Sequence, residues 1–310
     1  MDVSAVLPTF FVTLREGFEA ALVVGIVFAC LKKAQQMSLA RWVYGGVLAG
    51  ILASVLVGLL LGGILQQLAA SNALYAPVFR QFLEAAFGLF AIAMLSWMLV
   101  WMTVQAKSLK SEVEGAVGAA LQGNNGAGWG VFSLIFIAVL REGFETVLFI
   151  VAQFQQGWTL PTLGAISGLT LATLMGFLLF ALGVKINIRL FFQIMGVLLL
   201  LIVAGLVMGA LKHIDAGMAL LSQLNSSYEA LCFSGTDSCI LGTQVWNGSE
   251  ILPDKQFPGI ILKTLFGYRQ TLFLGQIVAY VAFLGIVGSA YFQAVSGKQI
   301  LNYQLSSNKQ

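Results

Sequence analysis

The chain has 310 residues, of which 59% are hydrophobic and only 9% are charged. Soluble domains carry charge on roughly a quarter of their residues, so this composition excludes an ordinary soluble domain. The net charge of +3 is too small to indicate a nucleic-acid partner, and none is expected.

Seven long apolar runs follow one another along the chain. Each is close to the roughly 20 residues that a helix needs to cross the hydrocarbon core of a bilayer. Because lipid offers no hydrogen bonds to the backbone, each run is predicted to be a helix. The predicted fold class is all-α, a polytopic membrane protein with seven transmembrane helices. The runs cover residues 6–31, 42–65, 78–103, 129–152, 161–184, 188–211 and 271–293.

The orientation is predicted from the Lys and Arg residues of the loops, which are more frequent on the cytoplasmic side of membrane proteins. One side carries nine of them and the other carries five. This places the N-terminus outside, a loop 104–128 and a tail 294–310 in the cytoplasm, and a loop 212–270 outside. The expected location is the plasma (inner) membrane. The first run is too long for a signal peptide and lacks a basic segment before it, so it is expected to remain as the first helix.

An internal repeat links the two halves of the chain. Residues 14–19 and 140–145 share the sequence LREGFE. Glycines 46, 50 and 58 then recur at the same spacing as glycines 164, 168 and 176. Within a single membrane domain, 1–310, residues 1–103 and 129–211 are therefore predicted to form two three-helix repeats, and 271–293 a separate seventh helix. Three is an odd number, so the second repeat enters the membrane inverted, an arrangement typical of transporters with a binding site near the midplane.

The repeated motif places ionisable groups near the middle of two predicted membrane helices. A charge at that depth costs about 2.5–3.5 kcal/mol, so these groups must face one another or water. Helical spacing puts Glu16 and Glu19 at neighbouring points of one face and lets Arg15 pair with Glu19. The second motif repeats these relations with Arg141, Glu142 and Glu145.

Convergence of the two motifs would bring four carboxylates against two guanidinium groups, and Glu84 could add a fifth carboxylate. Such a set of oxygen ligands suits a hard metal cation. The glycines of the motifs remove side-chain bulk and allow a helix or a ligand to come close. In the alternative interpretation, the Arg–Glu pairs neutralise each other and only lock two helices together. The candidate metal ligands are Glu16, Glu19, Glu142, Glu145 and Glu84, and the candidate structural or charge-balancing residues are Arg15, Arg141, Gly17 and Gly143.

Two Arg-Glu-Gly-x-Glu motifs in the first and fourth of seven helices resemble the oxidase-dependent ferric iron permeases. This is the family of the fungal high-affinity iron permeases and the bacterial EfeU-type iron transporters. The resemblance extends over nearly the whole chain and includes the stretches 80–101 and 265–269. It implies that the motif glutamates carry Fe³⁺ into the cytoplasm as a transported substrate, with no permanently bound cofactor. It also implies an extracytoplasmic ferroxidase or peroxidase-type partner.

Other functions are compatible with the same motifs. The cargo could be another divalent metal, such as manganese or lead, or the chain could be a non-conducting membrane partner of an oxidase. A proton-coupled carrier of an organic cation is less favoured, because Phe18 and Phe144 are the only aromatic residues of the motifs. Assembly of the chain into a homo-oligomer is also compatible with the sequence. The sequence contains no P-loop or nucleophile triad, so neither catalytic residues nor an enzyme activity are predicted.

Two cysteines, Cys232 and Cys239, lie in the predicted external loop. An oxidising exterior would allow them to form a disulfide. A thiolate metal site is the less favoured alternative, because six intervening residues are not a typical zinc-ligand spacing.

Overall fold

The computed structural model describes residues 6–69, 76–105, 109–122, 126–152, 159–181, 183, 187–224, 232, 238–254 and 256–296. Helices dominate these residues, as expected for an all-α membrane protein. The helices are α1 (Val6–Lys33), α2 (Ala40–Ala69), α3 (Ala76–Gln105), α4 (Leu109–Gln122), α5 (Ala127–Ala152), α6 (Thr159–Phe180), α7 (Ile188–Leu224), α8 (Gly259–Phe266) and α9 (Leu274–Ser296). A 3₁₀ turn, Met37–Leu39, precedes α2, and two short strands, β1 (Gln244–Asn247) and β2 (Thr271–Phe273), form a two-stranded antiparallel sheet.

Each of the seven predicted apolar runs overlaps a helix over most of its length, namely α1, α2, α3, α5, α6, α7 and α9. The run 161–184 extends past the end of α6 at Phe180, and the run 271–293 begins with strand β2, so that its helix, α9, starts only at Leu274. Within the described residues, five segments are long and apolar enough to cross a membrane, and they lie on α2, α3, α6, α7 and α9. The chain is thus an integral membrane protein. The other two helices, α1 and α5, carry the charged motifs, each of which places three ionisable residues within the helix.

Three features differ from the sequence-based expectation or add to it. Helix α7 continues to Leu224 instead of ending near residue 211, because its last turns are amphipathic rather than uniformly apolar. The predicted cytoplasmic loop contains α4, and the predicted external loop contains β1 and α8, whereas β2 occupies the first three residues of the predicted seventh helix. Helix α4 is too polar, and β1 and α8 are too short, to appear as apolar runs that could cross a membrane.

The chain forms two compact units. The first, called the motif unit here, comprises Thr9–Leu65 and Gln105–Phe192 and holds both charged motifs. The second, called the sheet unit, comprises Met1–Pro8, Gln66–Val104 and Gln193–Gln310.

Glycines bring the helices of the motif unit into close contact. A Cβ atom placed on Gly17 of α1 would lie 2.9 Å from Cβ of Ala172 on α6. A Cβ atom on Gly143 of α5 would lie 2.7 Å from Cβ of Ser54 on α2. Only a residue without a side chain permits these approaches, so both motif glycines are required by packing. Each motif helix thereby packs on the second helix of the other predicted repeat.

A second pair of contacts follows the same correspondence. Gly50 of α2 lies against Val139 of α5, and a Cβ atom placed on Gly50 would lie 2.9 Å from Cβ of Val139. Gly168 of α6 lies against Thr13 of α1 at a corresponding distance of 3.1 Å. Gly58 with Val147 and Gly176 with Ala21 form a third matched pair. In all three cases, both contacting residues occupy equivalent positions of the internal repeat.

An apolar cluster lies at one end of the motif unit, where α4 packs on α1, α2 and α5. Val117 of α4 and Ile135 of α5 are 1% and 0% exposed. The buried members of the cluster are Val23, Val27, Leu31, Val43, Val113, Val117, Val131, Ile135 and Val139. Burial of a valine or isoleucine side chain is worth about 1.5–3 kcal/mol, so this packing holds α4 against the three longer helices.

In the sheet unit, α7 packs against the segments that follow it. The backbones of Gly205 and Gly267 are in contact, and a Cβ atom placed on Gly205 would lie 2.8 Å from Cα of Gly267. Gly267 has a φ of 70°, a left-handed conformation that glycine adopts without strain, and it ends α8. Buried Gln276 of α9 donates from Nε2 to the carbonyl oxygen of Met208, 3.3 Å away.

The polar end of α7 anchors the following loop. Asp215 Oδ1 accepts hydrogen bonds from the backbone N–H groups of Cys239 and Ile240, at 2.9 and 2.8 Å. Cys239 forms a disulfide with Cys232. The extension of α7 therefore has a structural role that the apolar pattern of the sequence does not reveal.

Candidate metal centre

Both charged motifs lie well inside their helices, so regular helix geometry sets the direction of each side chain. In α1, Arg15, Glu16 and Glu19 are all buried, with 4%, 1% and 3% of their surface exposed. Arg15 Nη1 donates to Glu16 Oε1 at 3.3 Å, and Arg15 Nε lies 3.1 Å from Glu19 Oε1. One guanidinium group thus contacts both carboxylates of its own motif.

The motif of α5 repeats this pattern with looser geometry. Arg141 Nε donates to Glu145 Oε1 at 3.3 Å and lies 3.9 Å from Glu142 Oε1. The pairing of each arginine with the glutamate four residues later, which the helical spacing predicts, is present in both motifs.

Burial distinguishes the two motifs. The side chain of Arg15 is 5% exposed, whereas that of Arg141 is 39% exposed. The side chain of Glu145 is 16% exposed, against 4% for Glu19. The α5 motif is therefore the more accessible of the two.

Three carboxylates from the two helices converge. Glu16, Glu19 and Glu142 each offer a carboxylate oxygen, and these atoms all lie within 4.8 Å of one another. Among the residues that the structure describes, this is the one group of three or more acidic, histidine or cysteine side chains close enough to hold a metal ion. The sequence-based expectation that the two motifs meet agrees with this geometry, although Glu145 is outside the group of three.

Several oxygens of the four motif carboxylates have no hydrogen-bond donor. Glu16 Oε2, Glu142 Oε2 and Glu145 Oε2 are buried without a hydrogen-bond partner in the described part of the chain. Glu19 Oε1 also accepts no hydrogen bond, because Arg15 approaches it outside hydrogen-bond geometry. Buried carboxylate oxygens are normally satisfied, so these unsatisfied acceptors favour a positively charged ligand.

Glu16 and Glu142 come from different helices, and they offer carboxylate oxygens within 4.8 Å of each other. With both groups ionised, neither carboxylate has a donor to offer the other. Two like charges about 5 Å apart repel by about 3 kcal/mol at an effective dielectric constant of about 20. A proton or a cation between the carboxylates removes this repulsion.

The fifth candidate ligand, Glu84, lies on α3 in the sheet unit. Its Oε1 accepts a hydrogen bond from Arg80 Nε at 2.9 Å, and its Oε2 lies 3.1 Å from His213 Nδ1. The same His213 nitrogen is 2.8 Å from Gln81 Oε1. The structure therefore shows Glu84 in a polar contact with α7, and its role as a metal ligand stays a prediction. Sequence reasoning did not find His213 as its partner, since 129 residues separate them and no local pattern joins them.

A polytopic helical membrane protein with an oxygen-rich site of this kind falls in the class of membrane transporters. The comparison with known families defines it further. The chain belongs to the Iron permease FTR1 family, whose family model matches residues 6–292. This family is one of permeases, which are not enzymes.

Similar proteins occur in several bacteria. An uncharacterized protein of Synechocystis sp. is 50% identical over 298 residues, covering 96% of this chain and 96% of that protein. The protein named ferrous iron permease EfeU of Escherichia coli O6:K15:H31 is 30% identical over 279 residues, covering 89% of this chain and 91% of the relative. The protein of the same name from Yersinia pestis is 30% identical over 278 residues, covering 89% of each chain. No solved structure matches the chain significantly.

Proposed function

We propose that this chain carries iron across the membrane into the cytoplasm, and that Glu16, Glu19 and Glu142 hold the ion during its passage. The observation that carries the proposal is the convergence of these three buried carboxylates within 4.8 Å. The family supports iron as the cargo. Glu145 is proposed as a further ligand, because its Oε2 is also buried without a hydrogen-bond partner among the described residues.

The charge of the site supports a cation. Four motif carboxylates and two guanidinium groups leave an excess of two negative charges when all are ionised. An uncompensated buried charge costs several kcal/mol, so an ion that neutralises the excess is bound favourably. In this account, Arg15 and Arg141 are charge-balancing residues that limit repulsion among the carboxylates without cancelling it.

The same charge count bears on the oxidation state of the iron. Fe²⁺ would neutralise the excess of two negative charges, whereas Fe³⁺ would leave one positive charge. The names of the Escherichia coli and Yersinia pestis relatives also specify ferrous iron. We therefore propose Fe²⁺ as the form held by the site. The ferric ion expected from the sequence stays a prediction, which uptake assays with each form can test.

The matched helix contacts support an inverted-repeat transport mechanism. Gly17 with Ala172 and Gly143 with Ser54 join equivalent positions of the two predicted repeats. Seven membrane-crossing helices, an external N-terminus and a cytoplasmic C-terminus would place these repeats in opposite orientations. We propose that the two repeats move relative to each other and expose the carboxylates first to the outside and then to the cytoplasm.

The test is uptake of radiolabelled iron by cells that express wild-type protein or the variants Glu16→Gln, Glu19→Gln, Glu142→Gln and Glu145→Gln. Each change keeps the side-chain size and removes one negative charge. Loss of an outer-shell partner of a metal ligand typically costs on the order of 10–100-fold, so loss of a ligand itself is expected to lower uptake at least as much. Glu250→Gln, which alters an exposed carboxylate, is the control and should transport normally. Normal uptake by all four variants at normal expression would refute the proposal.

Other hard cations would fit the same oxygen ligands, as would manganese or lead in the alternative prediction. Competition between iron and these metals in vesicles containing the purified protein separates the possibilities. A non-conducting partner of an oxidase would transport no metal in such vesicles. An oxidase partner and a homo-oligomer both stay predictions.

A further inference from the structure

The hydroxyl group of Thr13 is buried in α1 without a hydrogen-bond partner among the described residues. Only 5% of the surface of Thr13 is exposed. A helical threonine usually satisfies its hydroxyl by donating to the carbonyl oxygen four residues earlier. Thr103, Thr170, Thr173 and Thr264 all do so, at 2.7, 2.7, 2.8 and 2.6 Å. The hydroxyl of Thr13 is therefore left available to another ligand.

The position of Thr13 connects it to the carboxylate group. Residues three apart on a helix are neighbours, so Thr13 lies one turn from Glu16 and on the same side of α1. Thr9, which is 0% exposed, lies one turn further toward the start of the helix. Thr9, Thr13 and Glu16 thus form a polar line from the N-terminal part of α1 to the candidate metal centre.

The equivalent line on α5 is apolar. The repeat aligns Thr9 with Ile135 and Thr13 with Val139. Ile135 and Val139 are 0% and 7% exposed and belong to the apolar cluster that α4 completes. The approach to the carboxylates along α5 is thus closed by apolar packing, whereas the approach along α1 carries hydroxyl groups. This difference breaks the symmetry of the repeat.

We propose that Thr13 is a ligand for the cation as it enters, offering its hydroxyl oxygen beside Glu16. The inference rests on the proposed transport function and adds a neutral oxygen ligand to it. Hard cations accept such neutral oxygens together with carboxylates. By the predicted orientation, the N-terminal part of α1 faces outside, so the ion meets Thr13 before the centre of the carboxylate group.

The test compares Thr13→Val and Thr13→Ser in uptake assays over a range of iron concentrations. Valine keeps the shape of threonine but removes the oxygen, so KM for iron is expected to rise by about tenfold, the effect of losing one polar contact. Serine keeps the hydroxyl and should retain a KM close to that of the wild type. Equal KM values for Thr13→Val and wild-type protein would overturn the inference.

Two controls separate the possible causes of a change. Thr170→Val removes an exposed hydroxyl that bonds to the backbone, and it should leave KM unchanged. Glu16→Gln, measured in parallel, tests the proposed function itself. Lost uptake in Glu16→Gln with unchanged KM in Thr13→Val would reject only the role of Thr13. Normal uptake in Glu16→Gln and in the other three glutamate variants would reject the proposed function. An impaired Thr13→Ser variant would indicate a packing role for Thr13 and contradict its role as a ligand.

Discussion

At the scale of residues, the two arginines occupy equivalent sequence positions but different environments. Arg15 is enclosed with both of its carboxylate partners, while Arg141 is partly accessible. Removing one member of a buried ion pair leaves an uncompensated charge and commonly costs 3–5 kcal/mol, whereas an accessible group can be compensated by solvent. The two arginines should therefore differ in their contribution to stability.

We expect Arg15→Gln to destabilise the purified protein by about 3–5 kcal/mol. Arg141→Gln should have a clearly smaller effect, because the side chain of Arg141 is 39% exposed and water already weakens its ion pairs with Glu142 and Glu145. Thermal unfolding of both variants in the same detergent measures the difference. An Arg141→Gln variant that is as unstable as Arg15→Gln would show that the burial difference has no energetic consequence.

At the scale of helices, the contacts of the motif glycines determine how closely α1 and α5 approach their neighbours. Gly17→Ala would place its Cβ 2.9 Å from Cβ of Ala172, which is closer than real Cβ contacts allow. Overpacking of this kind typically costs about 1–3 kcal/mol. Ala172→Gly removes the opposing methyl group and should restore part of the lost stability when both changes are combined.

A double-mutant cycle of Gly17→Ala and Ala172→Gly measures this coupling. The expected result is a double variant that is more stable than Gly17→Ala alone. Independent effects of the two changes would indicate that α1 and α6 are not in contact at this point. Iron uptake measured on the same variants shows whether the close approach also matters for transport.

Helix α4 is expected to owe its position to its buried valines. Val117→Asn places an amide in the apolar cluster and should destabilise the protein by about 1–3 kcal/mol. The matched control is Ala116→Asn, which changes an exposed residue of the same helix. Comparable unfolding temperatures for the two variants would contradict the packing of α4 on α1, α2 and α5.

The sequence predicted these elements unevenly, for physical reasons. The apolar runs predicted the long helices because the lipid environment imposes both their composition and their length. Helix α4 carries only a narrow apolar stripe around Val113 and Val117, so its pattern is hidden within a polar loop. The contact between Glu84 and His213 depends on how α3 packs on α7, and spacing along the chain carries no signal for it. Likewise, the convergence of Glu16, Glu19 and Glu142 without Glu145 depends on helix rotation and crossing, which local spacing does not determine.

At the scale of the whole molecule, the proposed cycle depends on the orientation of the chain in the membrane. The predicted arrangement has seven crossings, an external N-terminus and a cytoplasmic C-terminus. Family membership and the apolar helices establish a membrane transporter, and the positive charges of the loops predict which side each loop occupies.

This orientation can be tested by labelling single introduced cysteines in intact cells. A membrane-impermeant maleimide should label Ser249→Cys, in the predicted external loop. It should label Gln35→Cys, between α1 and α2, only after the membrane is permeabilised. Native Cys30 requires replacement by serine in the parent protein. The reverse pattern of labelling would invert the predicted topology and the direction of the proposed entry path.

The central claim is that the carboxylates contributed by α1 and α5 bind the transported metal. Crystals soaked in Fe²⁺ and measured at the iron absorption edge test it most directly. The account predicts an anomalous peak among Glu16, Glu19 and Glu142 that disappears in crystals of the Glu16→Gln variant. A well-occupied iron peak elsewhere, with none among these three carboxylates, would contradict it.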